Sequence, residues 1–158
     1  MLVRMEAFKN FLENPIFLSS ISSWLLAQII KAAVALLRSH KSTIREILST
    51  VAWRTGGMPS SHAALVSAMA ASAAIHEGPG SDLFIVSLLF AVVVMRDAMG
   101  VRRSSGIQAR TLNILGRQLA DKALVDYHPV KEVHGHAPLE VVVGALLGIF
   151  IAAAYAYL

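Results

Sequence analysis

The chain has no cysteine among its 158 residues. That absence removes disulfides, thiolate metal sites and a cysteine nucleophile together, and it leaves the redox compartment open. Charge is also scarce. Only 15% of residues are charged, 56% are apolar, and the mean hydropathy is +0.61, whereas a soluble domain of this size carries more charge. No internal repeat or low-complexity tract is present, and the chain is too short for two membrane domains, so residues 1–158 are expected to form a single membrane-embedded domain. The N-terminal stretch lacks a charge-then-apolar signal pattern and a small-residue cleavage site. Residues 1–14 instead mix Arg4, Glu6, Lys9 and Glu13 with apolar residues at helical spacing, which predicts a short interfacial helix.

What is abundant is uninterrupted apolar sequence. The eighteen residues from Val141 to Leu158 carry no charge, and with Leu139 and Glu140 at the interface end they reach the roughly 20 residues a bilayer-spanning helix needs. Three further stretches resemble it: Ile16 to Leu37, which contains Gln28 and Lys31; the alanine-rich Ala63 to Ile75; and Leu83 to Met95, broken only by Ser87. The second and third of the four must recruit flanking residues to cross about 30 Å of hydrocarbon. The expected fold is therefore all-α, a polytopic transmembrane helical bundle of about four spans plus short amphipathic helices, in an integral membrane protein of undetermined compartment. The lipid bilayer is the expected surrounding, and no nucleic-acid partner is expected.

Polar punctuation separates the spans at Arg38 to Met58, at the turn Glu77-Gly78-Pro79-Gly80-Ser81-Asp82, and along residues 96–138. The last of these is predicted to contain an amphipathic helix around Ile107 to Leu124, with Leu112, Leu115, Leu119 and Ala123 spaced by three or four. Lys and Arg number four in the first link, seven in the third and none in the turn. With four spans the two basic links share one face, which the positive-inside rule makes cytoplasmic, although a phosphate site would gather arginines on either face. Gly144 and Gly148, spaced G-x-x-x-G, permit close helix approach, either inside the bundle or at the seam of a homo-oligomer.

The polar residues bordering the spans converge on that basic face. Arg38 ends the first span, Pro59 to His62 opens the second, Arg96 to Arg103 follows the third, and His136 to Glu140 opens the fourth. Lys31 lies deeper in the first helix, where a buried cation calls for an anionic partner. In Gly56-Gly57-Met58-Pro59-Ser60-Ser61-His62, a proline at a helix start would leave the Ser60, Ser61 and His62 amides as donors for an anion, with the helix dipole assisting. The same run also suits an ordinary capped helix with a surface histidine. His136 and Glu140, four apart on one helical face, can form a carboxylate-oriented imidazole whose second nitrogen serves as nucleophile or base; a helix-start salt bridge is the plainer alternative.

Pro59-Ser60-Ser61-His62 resembles the Pro-Ser-Gly-His motif of the type 2 phosphatidic acid phosphatase superfamily, which includes the vanadium haloperoxidases. Arg96-Asp97-Ala98-Met99-Gly100-Val101 resembles the first half of that superfamily's third motif. His136-Ala137-Pro138-Leu139-Glu140 and the Val141 to Gly148 run resemble its second half, here separated by 34 residues. Together with Arg102-Arg103, this split arrangement closely resembles the divergent PAP2 family, over about Gln28 to the C-terminus.

The resemblance implies a metal-independent and cofactor-free phosphatase of a lipid or isoprenoid phosphate or diphosphate. By analogy His136 is the nucleophile that forms a phosphohistidine, Glu140 orients it in place of the usual aspartate, and His62 protonates the leaving oxygen. Ser60, Ser61 and neighbouring amides, with Lys31, Arg38 and one or more of Arg96, Arg102 and Arg103, are implied phosphate ligands. The Lys31 to Arg38 spacing fits the superfamily's first motif, but Ser39 stands where proline is expected, and Ser61 replaces a glycine. Two other readings stay open: a non-catalytic membrane anion-binding, carrier or scaffold protein that keeps the pocket, and a metal site at His128, His134 and His136.

Overall fold

The structure, a computed structural model, describes residues 2–38, 57–122, 124–132 and 135–157, with the side chains of residues 2, 3 and 38 excepted. Six helices lie among these residues: α1 (Leu2–Leu12), α2 (Pro15–Arg38), α3 (Ser61–Glu77), α4 (Asp82–Met99), α5 (Val101–Ala120) and α6 (Pro138–Tyr157). Their starts follow local capping chemistry. Asn14 Oδ1 accepts from the Ile16 and Phe17 amides at 2.9 and 3.1 Å, turning the chain from α1 into α2. Ser81 caps α4 through Phe84 N at 3.2 Å, with Asp82 in the first turn facing the positive end of the dipole. Between α3 and α4, Gly78 adopts φ +90°, a left-handed value that a side chain would strain, and Ser81 N closes the turn on Gly78 O at 3.1 Å.

Packing is inverted relative to a soluble bundle. The interior is made of small and weakly polar residues: Ala27, Ala63, Ala64, Ala68, Ala73, Ser19, Ser23, Ser60 and Ser72 are all at most 1% exposed. The large apolar side chains of α4, Ile85, Val86, Leu89, Phe90 and Val93, point outward. Small residues inside and branched or aromatic ones outside suit helices that lipid surrounds, because apolar burial gives no gain there and close backbone approach does. Helices α2, α4 and α6 are long and apolar enough to cross a membrane. Helix α3, 17 residues and about 25 Å long, is the central element, packed against all three. The protein is an integral membrane bundle with about four spans.

Helices α3 and α6 meet most closely. A Cβ at Gly144 would overlap the Ser60 carbonyl, and one at Gly148 would overlap the Ala64 carbonyl. The G-x-x-x-G face is thus occupied within the chain, and both glycines are buried there. Of the two uses expected for Gly144 and Gly148, close approach inside the bundle is the one these contacts show. Helix α2 joins the pair through Ser23 Oγ, which donates to Ala64 O at 3.1 Å, and through Ser22 Oγ with Tyr155 Oη of α6 at 2.8 Å.

The amphipathic helix runs over α5, Val101–Ala120, rather than Ile107 to Leu124. It follows α4 after a single break at Gly100, whose N–H still bonds Arg96 O at 2.8 Å. Leu112 and Leu115 face outward, while the covered side is polar: Asn113 and Gly116 are buried against residues 127–132. Tyr127 Oη donates to Asn113 Oδ1, Asn113 Nδ2 donates to Val130 O at 3.0 Å and to Glu132 Oε1 at 2.8 Å, and the Tyr127 ring lies on Gly116. A buried amide with all its bonds made holds this strap, and loss of its partners would leave a costly unpaired group.

Candidate active site

Three helix ends are tied together at one end of the bundle. Ala63 of α3, Ala98 of α4 and Val141 of α6 form a buried apolar cluster, with Met95 and Met99 packed against it. Above this plug, hydrogen bonds cross between the ends. His136 N donates to Ala98 O at 3.1 Å, and Ser60 N donates to Glu140 O at 2.9 Å. Ser60 is the N-cap of α3, its Oγ accepting from Ala63 N at 3.4 Å. Pro59 therefore precedes the cap instead of starting the helix, and the Ser60 amide, expected as an anion donor, is engaged by α6. The Ser61 and His62 amides remain as first-turn donors without an intrahelical acceptor.

Glu140 is the hub of this corner. Its Oε2 lies 3.0 Å from His136 Nδ1 and accepts the Ala137 amide at 3.1 Å, while its backbone carbonyl holds Ser60. A carboxylate accepts only, so in the neutral imidazole this bond places the proton on Nδ1 and leaves Nε2 as the free nitrogen. His136 is 6% exposed, and its ring is therefore fixed by packing as well as by the bond. His62 is exposed at the mouth.

Lys31 reaches the same corner from α2. It is 6% exposed, and Gly57, at φ +92°, rests on its stem: the Gly57 Cβ position is 3.7 Å from Lys31 Cγ. Among the described residues no carboxylate stands within ion-pair distance of Lys31. His62 stands in the first turn of α3, two residues after the Ser60 cap that bonds Glu140 O. Hydrogen bonds thus join His136, Glu140 and Ser60, with Ser61 and His62 next in α3 and Lys31 reaching in beside Gly57, while Arg102 follows the end of α4 and bonds Asp97.

The remaining arginines differ. Arg103 sits at the edge, where its backbone would be overlapped by any Cβ on Gly135, so glycine is required for the chain to pass beside α5 into His136. Arg96 is exposed near the end of α4. Arg38 is the last residue of α2, and its side chain lies outside the described residues, as do Gly56 and His134. Among the described residues no group of three His, Cys, Asp or Glu side chains could hold a metal ion. Sequence reasoning gave Asp97 no part, yet its Oδ2 accepts from Arg102 Nε at 2.7 Å and aims that guanidinium. The signal available was an acid five residues before the arginine across the Gly100 break.

The sequence pattern of the divergent PAP2 family is matched over residues 12–151. The chain belongs to that family. The uncharacterized membrane protein YuiD of Bacillus subtilis (strain 168) is 36% identical over 172 aligned residues, which cover 97% of this chain and 98% of that protein. No solved structure matches the chain. The matched region takes in all the residues of the corner described above.

An anion is expected to bind at this corner. Phosphate, sulfate or vanadate should raise the thermal denaturation midpoint of the detergent-solubilised protein, with stabilisation of about 2.7 kcal/mol at a hundredfold excess over Kd. Stabilisation by zinc with no anion effect would contradict this.

Proposed function

We propose that the protein is a membrane-embedded, metal-independent hydrolase of a lipid or isoprenoid phosphate or diphosphate, acting through a phosphohistidine. The observation that carries this reading is the His136–Glu140 bond at 3.0 Å beside a buried Lys31 with no ion-pair partner among the described residues. The first group is an oriented nucleophile. The second, a buried cation, calls for an anion to complete the site.

In this reading His136 Nε2 attacks phosphorus, the bond from phosphorus to the lipid oxygen breaks, and His62 gives that oxygen a proton. Water then attacks the phosphohistidine, His62 takes its proton, and inorganic phosphate leaves. Lys31, Arg102 and the first-turn amides of α3 offset the charge that develops on the phosphoryl oxygens, a task that positioned cations and amides perform without a metal. Arg103, Arg96 and Arg38 are further candidates for that role. The lipid-facing setting of α2, α4 and α6 favours a substrate presented from the bilayer.

The test is phosphate release from a panel of lipid and isoprenoid phosphates by the purified protein in detergent, with and without EDTA. Release unaffected by EDTA is expected; release abolished by EDTA, or none from any substrate, would contradict the proposal. The histidines should separate by leaving group. His62→Ala is expected to slow alkyl phosphates far more than an activated aryl phosphate, which needs little protonation. Glu140→Gln should lower kcat while phosphate affinity changes little, because the carboxylate orients and charge-balances the imidazole. Equal slowing of both substrate types by His62→Ala would remove it from the acid role.

A second reading, an anion-binding carrier or scaffold without turnover, is favoured by one observation. Arg102 is already paired with Asp97, which reduces the positive charge it offers a transition state. Anion stabilisation together with inactivity across the panel would select it.

A further inference from the structure

Helix α5 carries four arginines, Arg102, Arg103, Arg110 and Arg117, and no acidic residue. Three of them, Arg103, Arg110 and Arg117, recur every seven residues and so form one line along the helix. Ile107 and Ile114, four residues after the first two, lie about 20 to 40° from that line, and Leu115 and Leu112 lie about 120 to 180° round from it, so the exposed apolar residues span the half of the helix on one side of the arginines. Ile107, Leu112, Ile114 and Leu115 are 49 to 60% exposed. The opposite edge is fixed: Asn113 and Gly116 are held by Tyr127, Val130 and Glu132, so the strap determines which side of α5 faces outward.

Position adds to pattern. The candidate span Asp82–Ala120 takes in both α4 and α5, but its apolar part lies in α4, and Arg102 and Arg103 follow directly after the Gly100 break, so α5 begins where the apolar sequence ends. Four arginines bar α5 from the bilayer interior, where each costs about 2.5 to 3.5 kcal/mol at the centre. Its exposed leucines and isoleucines are equally unsuited to water. The boundary accommodates both, with apolar side chains among the upper acyl groups and arginines among headgroup phosphates.

We propose that α5 is an interfacial helix that seats Ile107, Leu112, Ile114 and Leu115 in the bilayer surface beside α4 and holds anionic phospholipid along Arg103, Arg110 and Arg117. This role requires no turnover at the histidine site. Charge complementarity selects an anionic lipid surface over a second copy of the chain, whose matching helix would bring the same arginines into repulsion.

The absence of native cysteine makes single-site labelling direct. Leu112→Cys and Ile114→Cys, each carrying a nitroxide, would be examined in the full chain in nanodiscs of phosphatidylcholine with phosphatidylglycerol. Gly80→Cys, in a turn with open space around it, serves as the water-exposed reference. Collisions with an aqueous nickel chelate should be about tenfold fewer at 112 and 114 than at 80, with oxygen collisions correspondingly more frequent. Replacement of Arg110 and Arg117 by Gln should lower the preference for co-isolated phosphatidylglycerol over phosphatidylcholine about fivefold per arginine. Labels at 112 and 114 as open to the chelate as the reference, or an unchanged lipid preference in the double variant, would overturn the proposal. Shielding that vanishes in discs holding one protein copy would also overturn it, because a second copy would then be the cover.

Discussion

His136→Ala should reduce turnover of a lipid phosphate by at least about 10³-fold while leaving the bundle folded. In the proposed mechanism the imidazole supplies the atom that forms the covalent bond, and the cations and amides bind phosphate without accepting it. The fold is expected to survive because the anchoring bond to Ala98 O comes from the His136 backbone, and Glu140 keeps its bonds to Ala137 N and Ser60 N. Phosphate release and the thermal midpoint measured on the same preparation check both halves. Wild-type turnover in His136→Ala, across lipid phosphates and an activated aryl phosphate, would eliminate the phosphohistidine route. The anion-binding reading would then stand in front.

Gly148→Leu should have the largest effect on stability. The Cβ alone would overlap Ala64 O and come within 2.9 Å of Ala68 N, and backbone on the central helix has nowhere to yield. Overpacking of this kind costs about 1–3 kcal/mol, or more when backbone must separate. The consequence extends beyond stability, because α6 carries His136 and Glu140 to the start of α3. Pushing α6 away at Gly148 strains the Ser60 N to Glu140 O bond and opens the corner. Lower denaturation midpoints in detergent, with anion stabilisation weakened in parallel, are the expected readout for Gly148→Leu and Gly144→Leu. Unchanged midpoints would mean that α6 does not lie against α3 as described.

These cases also mark what the chain made readable. The spans were legible because an uncharged run such as Val141 to Leu158 has one stable setting, and its helix, Pro138–Tyr157, starts only slightly earlier. The pairing of His136 with Glu140 was legible because four residues on a helix is a local distance. Contacts between distant segments were not. Nothing near Gly144 names Ser60 as the backbone it must clear, and G-x-x-x-G serves a dimer or a bundle equally well until the partner helix is placed. The amide of Ser60 was expected to be free for the same reason: its acceptor, Glu140 O, lies 80 residues away. The early start of α5 was hidden by Gly100, which reads as a stop yet keeps a helical bond to Arg96. The bond from Arg102 to Asp97 was hidden in the same way, because it spans that break.

The most direct measurement of the central claim is a search for the covalent intermediate. Purified protein would be mixed briefly with a lipid phosphate that it hydrolyses, quenched in alkali, and its peptides analysed by mass spectrometry. A phosphoryl group on His136, stable to alkali, lost in acid, absent from His136→Ala and accumulating in His62→Ala with an activated substrate, is the predicted result. Sustained phosphate release with no adduct on His136 under any quench would contradict it.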